Sequence, residues 1–181
     1  MASSLKHKPQ IIALSGSLRA SSSTVAVLRA VALYLEDKVV FTIDDTTGNL
    51  PHFDDSKAHP ESVLYFRKRL AMADGIMICT PEYAFGVPGT LKNALDWAVS
   101  TGEFVNKPVA LITAATGGEN AHRSLLITLT ALSANLPESN SLLISFIRAK
   151  MNEVGEVVDL PTLAALRKAA DSLVDTIEQT R

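Results

Sequence analysis

Five short apolar runs punctuate the chain: Gln10–Leu14, Val39–Ile43, Gly75–Thr80, Pro108–Thr113 and Leu142–Phe146. They are nearly continuous in Ile, Val, Leu and Ala, with little in/out alternation. Strands covered on both faces have this composition, which points to a parallel sheet between helical layers. Between the runs, apolar residues return at spacings of three and four. Val25, Leu28, Ala32 and Leu35 form one stripe, and Val63, Phe66 and Leu70 a second. Leu125, Leu129 and Leu132 form a third, and Leu160, Leu163, Leu166, Ala170, Leu173 and Ile177 a fourth. Each is the buried face of an amphipathic helix. A further helix is expected from about Pro88 to Val99, since proline suits a first helical turn.

Strict alternation of strand and helix with short connections predicts an α/β sandwich, a doubly wound five-stranded parallel sheet with helices on both faces. Right-handed crossovers restrict its topology, and the strand order expected is 2-1-3-4-5. That order sets the loops after strands one and three on either side of the switch point, where open α/β sheets bind ligands. The longest irregular stretch, Asp44 to His59, is expected as a surface loop, with the option of lining the site, rather than a linker. The whole chain, 1–181, reads as one domain, with the first eight residues flexible.

At 181 residues and 19.4 kDa the chain is long enough for one ample core. A net charge of -2 and a pI near 6.1 give no dense basic face for nucleic acid. The compact cluster Arg67-Lys68-Arg69 lies in a helical pattern and reads as a solvated face. The single cysteine cannot close an internal disulfide and suits a reducing compartment. Cys79 lies in an apolar run and reads as a small core residue. The first eight residues lack the apolar stretch of a secretion signal, and no run approaches the roughly 18 apolar residues of a membrane span. The expectation is a cytoplasmic protein without membrane or nucleic-acid partners. His52, His59 and His122 do not stand at metal-ligand spacing, so no metal is expected.

Two loops carry the chemistry. After the first run comes Ser15-Gly16-Ser17-Leu18-Arg19-Ala20-Ser21-Ser22-Ser23-Thr24, which opens a helix. A helix N-terminus exposes unpaired N–H groups and about half a positive charge, so an anion is stabilised there. The hydroxyls are compact donors, and Arg19 offers a two-pronged contact to phosphate. A serine-rich capped helix start, with Ser22 or Ser23 as N-cap, accounts for the same residues. The nucleoside-triphosphate and dinucleotide glycine patterns are both missing, and a hydroxyl-rich cradle suits a terminal phosphate monoester better than a buried pyrophosphate.

The second loop, Pro81-Glu82-Tyr83-Ala84-Phe85-Gly86-Val87-Pro88-Gly89, leaves the third run. Its backbone can meet the edge of a heterocycle, with Tyr83 and Phe85 as apolar contacts; aromatics packed under a loop are the alternative. Lys92 and Asp96 are an i, i+4 pair on the helix that follows. Trp97 reads as core or subunit interface. The glycines of Ala115-Thr116-Gly117-Gly118 suit either close backbone approach or a plain turn.

Gly16-Ser17-Leu18-Arg19 with Ser22, and Pro81-Glu82-Tyr83 with Pro88-Gly89-x-Leu91-Lys92-Asn93-Ala94-x-Asp96-Trp97, resemble the NADPH-dependent FMN reductase family of flavodoxin-like fold. The resemblance implies bound FMN, with NADPH or NADH as electron donor. It places Ser17, Arg19, Ser22, Ser23 and Thr24 around the phosphate, and Pro81, Glu82, Tyr83, Ala84 and Phe85 beside the isoalloxazine ring. Thr116, Gly117 and Gly118 would close the other side. Ala84, Gly86 and Thr24 depart from the asparagine, serine and asparagine usual in the family, and the third loop is shorter than in many relatives.

The resemblance further implies a ping-pong oxidoreductase. Hydride passes to flavin N5, and a quinone, flavin, azo compound or metal oxyanion then takes the electrons. No side chain is needed as a nucleophile. It also implies a homodimer or homotetramer. A flavodoxin-type electron carrier is the alternative, though such carriers are strongly acidic and this chain is nearly neutral. A serine hydrolase would need a histidine and an acid beside the first loop, and the sequence offers no good pair.

Overall fold

A computed structural model describes residues 8–55 and 59–181, so the expectation for the first seven residues lies outside the described region. The strands are β1 (Gln10–Ser15), β2 (Val40–Ile43), β3 (Gly75–Thr80), β4 (Val109–Ala114) and β5 (Ser141–Ile144). They alternate with α1 (Ser23–Leu35), α2 (Glu61–Met72), α3 (Gly89–Trp97), α4 (Glu119–Ala131) and α5 (Leu160–Thr180). The strands form one parallel sheet in the order β2-β1-β3-β4-β5, as expected from the alternation.

Side chains alternate across the sheet, and each face has its own core. Ile12, Leu14, Ile76, Ile78, Val109 and Leu111 meet α2, α3 and α4 on one side. Ile11, Ala13, Met77, Cys79, Ala110 and Ile112 meet α1 and α5 on the other. Each fully buried aliphatic side chain stabilises the fold by about 1.5–3 kcal/mol. Cys79 sits in this second core, and burial pushes its thiol well above the ordinary range, so it is inert.

The sequence expectation of strands covered on both faces is correct for β3 and β4 throughout and for β1 beyond Gln10. It is wrong for the edges. Val40 of β2 is half exposed, and β5 is only partly covered until Ile144. The fifth strand also ends sooner than its apolar run, because Phe146 turns into the left-handed region at φ 54°.

The stretch from Asp44 to His59 is an ordered surface segment over its described residues, but it does not line the crevice described below. It contains a 3-10 turn, Thr47–Asn49, set by the Asp44 carboxylate, which accepts from the Thr46 and Thr47 N–H groups. Farther on it wraps α3. The indole Nε1–H of Trp97 donates to Pro51 O at 2.9 Å, Asn93 Nδ2 donates to the same carbonyl, and Asn93 Oδ1 accepts from Phe53 N–H. Phe53 and His59 stand edge-on to the indole. Trp97 is therefore a core residue.

Candidate active site

The connections leaving β1 and β3 run to opposite sides of the sheet, which opens a crevice between them. Gly16 makes the close approach possible. Its N–H donates to Cys79 O at 2.8 Å, and a Cβ there would lie 2.3 Å from Thr80 Oγ1. The Tyr83 hydroxyl donates to Ser17 Oγ at 3.4 Å. The two motifs thus lie side by side.

The crevice has a volume of about 250 Å3. Ser17, Arg19, Ser22, Ser23, Thr24, Pro81, Glu82, Tyr83, Ala115 and Thr116 line it, together with Ala114, Ile147 and Arg148, which sequence reasoning missed. A wider groove of about 730 Å3 runs along α1, α5 and the turn at Val154–Val157. It gathers none of the motif residues, so size alone does not identify the site.

The first loop holds its shape through its own hydroxyls. Thr24 Oγ1 lies 3.1 Å from Ser15 Oγ and 2.9 Å from Ser22 Oγ, and all three groups are buried. Ser22 is the N-cap of α1, accepting from Val25 N–H at 3.2 Å. The Thr24 hydroxyl braces the loop, while the Thr24 residue lines the crevice as expected of a residue around the phosphate. Among the described residues, the Ser23 and Thr24 N–H groups have no acceptor. Among the same residues the Ser23 hydroxyl has no partner and the exposed Arg19 guanidinium has no carboxylate. Unsatisfied donors on one wall beside apolar atoms of Pro81 and Tyr83 fit a phosphate-tailed aromatic ligand.

The second loop is a tight reversal. Tyr83 N–H donates to Gly86 O at 3.0 Å and Gly86 N–H to Tyr83 O at 2.9 Å. Between them Ala84 and Phe85 take φ values of 48° and 59°. Both lie in the left-handed region, which costs roughly 1–2 kcal/mol per residue with a side chain. The turn lifts both residues out of the crevice to its rim, and Phe85 is 80% exposed.

Glu82 does what no sequence signal disclosed. The N-cap of helix α4 is Gly118, which has φ 112° and no capping side chain. Glu82 Oε2 instead accepts from Ala121 N–H at 2.8 Å, crossing from the second loop to cap the helix of the third. Gly117 and Gly118 lie between Thr116, which lines the crevice, and the start of α4. A Cβ on Gly118 would also meet Leu143 and Thr113 at 2.9 Å.

His122 stands behind this loop, with Nδ1 2.8 Å from Thr113 Oγ1 and Nε2 2.9 Å from Ser141 Oγ. Burial lowers its pKa below the ordinary histidine value. It is a neutral brace between β4 and β5. Among the described residues no group of three or more His, Cys, Asp or Glu side chains is placed to hold a metal ion.

Known proteins of similar sequence and shape identify the family of the chain. Residues 9–149 match the family described as NADPH-dependent FMN reductase. A quinone reductase of Escherichia coli is 28% identical over 190 residues, covering 98% of this chain and all of that protein. An NAD(P)H-dependent FMN reductase of Pseudomonas aeruginosa is 29% identical over 157 residues, 83% of this chain and 85% of its own length. In three dimensions, a flavoenzyme NAD(P)H:(acceptor) oxidoreductase from Paracoccus denitrificans superposes with a TM-score of 0.78 at 30% identity, covering 94% of this chain and 98% of its own. With its match running from β1 to the turn after β5, this chain belongs to the NADPH-dependent FMN reductase family.

Proposed function

We propose that the protein is an FMN-dependent NAD(P)H oxidoreductase working in two alternating half-reactions. A hydride from NAD(P)H enters in the first. A small acceptor such as a quinone, a free flavin, an azo compound or a metal oxyanion is reduced in the second. Membership of the family makes FMN and NAD(P)H the cofactors, and FMN, when bound, supplies the hydride-accepting N5 atom.

The chain's residues bind and orient. The Ser23 and Thr24 N–H groups, the Ser17 and Ser23 hydroxyls and Arg19 hold the phosphate at the positive end of α1. Backbone groups of Pro81, Glu82 and Tyr83 lie along the ring, and Thr116 closes the opposite side. Ala84 and Phe85 offer an apolar rim to a flat donor or acceptor, which gains from proximity. No side chain of the crevice is needed as nucleophile or obligatory base. The reading includes a homodimer or homotetramer in the cytoplasm, and light scattering tests the assembly.

One observation carries the reading. Three loops at the carboxyl ends of β1, β3 and β4 line a single crevice, where the Ser23 and Thr24 N–H groups lack acceptors among the described residues. The test is the visible spectrum of purified protein, followed by anaerobic mixing with NADPH and then NADH. An oxidoreductase shows a flavin band that bleaches, and its initial-rate plots against the two substrates run parallel. A flavodoxin-type carrier keeps its colour under either nucleotide. Protein that takes up no flavin when FMN is added refutes the reading.

A further inference from the structure

The chain leaves β5 in a way that brings a second arginine to the site. Phe146 reverses the backbone, and its N–H donates to Thr116 O at 3.1 Å. Ile147 N–H donates to Ala115 O at 3.1 Å, and the Ile147 side chain is buried. The 3-10 turn Ile147–Lys150 is thereby stapled to the loop after β4. Arg148 is the next residue along and lines the crevice with Ser17, Arg19 and Ser22.

Charge gives this placement its meaning. Among the described residues, neither Arg19 nor Arg148 has a carboxylate partner, whereas nearby Lys150 lies 3.7 Å from Asp159. The one acid lining the crevice, Glu82, has its carboxylate on the Ala121 N–H. Two guanidiniums on one small crevice repel unless an anion stands between them. A phosphate monoester, with nearly two negative charges and three acceptor oxygens, accommodates both forks.

We propose that Arg148 is a second phosphate-binding residue of the flavin site, acting together with Arg19 on the terminal phosphate of FMN. This rests on the FMN reading above and extends it to a residue outside the first loop. The test measures binding of FMN and of riboflavin, which lacks the phosphate, to apoprotein by quenching of flavin fluorescence. Parent, Arg148→Gln and Arg148→Lys proteins are compared across a salt series.

In Arg148→Gln the FMN dissociation constant rises about tenfold, the size of one charge-assisted contact shared with solvent. Riboflavin affinity stays unchanged, and the dependence of FMN binding on salt becomes shallower. Arg148→Lys retains the salt dependence and recovers part of the affinity. FMN binding equal to the parent overturns the proposal and leaves the FMN reading intact. Equal losses for FMN and riboflavin overturn it too, since Arg148 would then act on loop shape. A raised KM for NADPH with unaltered FMN affinity assigns the arginine to the donor instead and overturns it. A parent protein that binds neither flavin brings down both readings at once.

Discussion

Replacing Gly16 with alanine tests how closely the two site loops must approach. An alanine Cβ would lie 2.3 Å from Thr80 Oγ1, 2.9 Å from Thr80 Cβ and 3.0 Å from Pro81 Cδ. Rotating Thr80 relieves only the first contact, and its side chain is fully buried with the hydroxyl donating to Pro81 O. The β1 loop cannot withdraw without stretching the Gly16 N–H to Cys79 O bond of 2.8 Å. Overpacking of this kind costs about 1–3 kcal/mol. In a chain of this length that lowers Tm by about 2–12 °C. The displacement separates the loop bearing Arg19 from the loop bearing Tyr83, so FMN affinity falls by about tenfold or more. Thermal unfolding of the apoprotein and flavin titration read the two effects. The double variant Gly16→Ala/Thr80→Ala removes the shortest contact and recovers part of the loss. A single variant with the parent's Tm and FMN affinity refutes the claim that close approach shapes the crevice.

Other substitutions probe the remaining loops. Ala84→Asn raises stability by about 0.5–1 kcal/mol in chemical denaturation, because asparagine tolerates the φ of 48° better than alanine; an unchanged midpoint speaks against strain there. Glu82→Ala removes the cap on Ala121 and costs about 1 kcal/mol, seen as a lower Tm and weaker FMN binding. A Tm equal to the parent's dismisses the cap. His122 has its folded-state pKa below the ordinary value because of burial, so below about pH 6.5 the unfolded chain binds the extra proton first. Its contribution is complete above that pH and is lost as pH falls through the folded value. Denaturation between pH 7 and pH 5 should show stability declining, with a shallower slope in His122→Gln. Equal slopes exclude His122 as the cause.

The fold was largely legible because its central strands are saturated with Ile, Val, Leu and Ala, and because helical stripes separate them. The edges were less so. Val40 and Phe146 belong to runs as apolar as the rest, but a run cannot report that one face lacks a neighbour or that a backbone turns left-handed. The candidate site was legible at Gly16-Ser17-Leu18-Arg19 and Pro81-Glu82-Tyr83, where spacing and residue type agree with a phosphate and a ring. The long motif around Lys92-Asn93 and Asp96-Trp97 proved to be scaffold. Asn93 and Trp97 fasten the Pro51–Phe53 segment, and Lys92 pairs with Asp96. Arg148 escaped notice although it follows a strand's carboxyl end like the other loops, because the single Ser145 before it forms no glycine- or serine-rich pattern. The Glu82 cap depends on two distant segments meeting in space, which no local pattern records.

The buried trio of Ser15, Ser22 and Thr24 hydroxyls has a kinetic consequence. A loop whose polar groups satisfy one another stays in a single conformation before its ligand arrives. Little chain entropy is then surrendered on capture. Uptake of the prosthetic group becomes an encounter problem, with electrostatic attraction speeding the meeting rather than a slow rearrangement limiting it. If Arg19 and Arg148 hold the phosphate as proposed, release is governed by breaking those contacts, so the lifetime of the holoprotein, more than its rate of assembly, responds to changes in the two arginines.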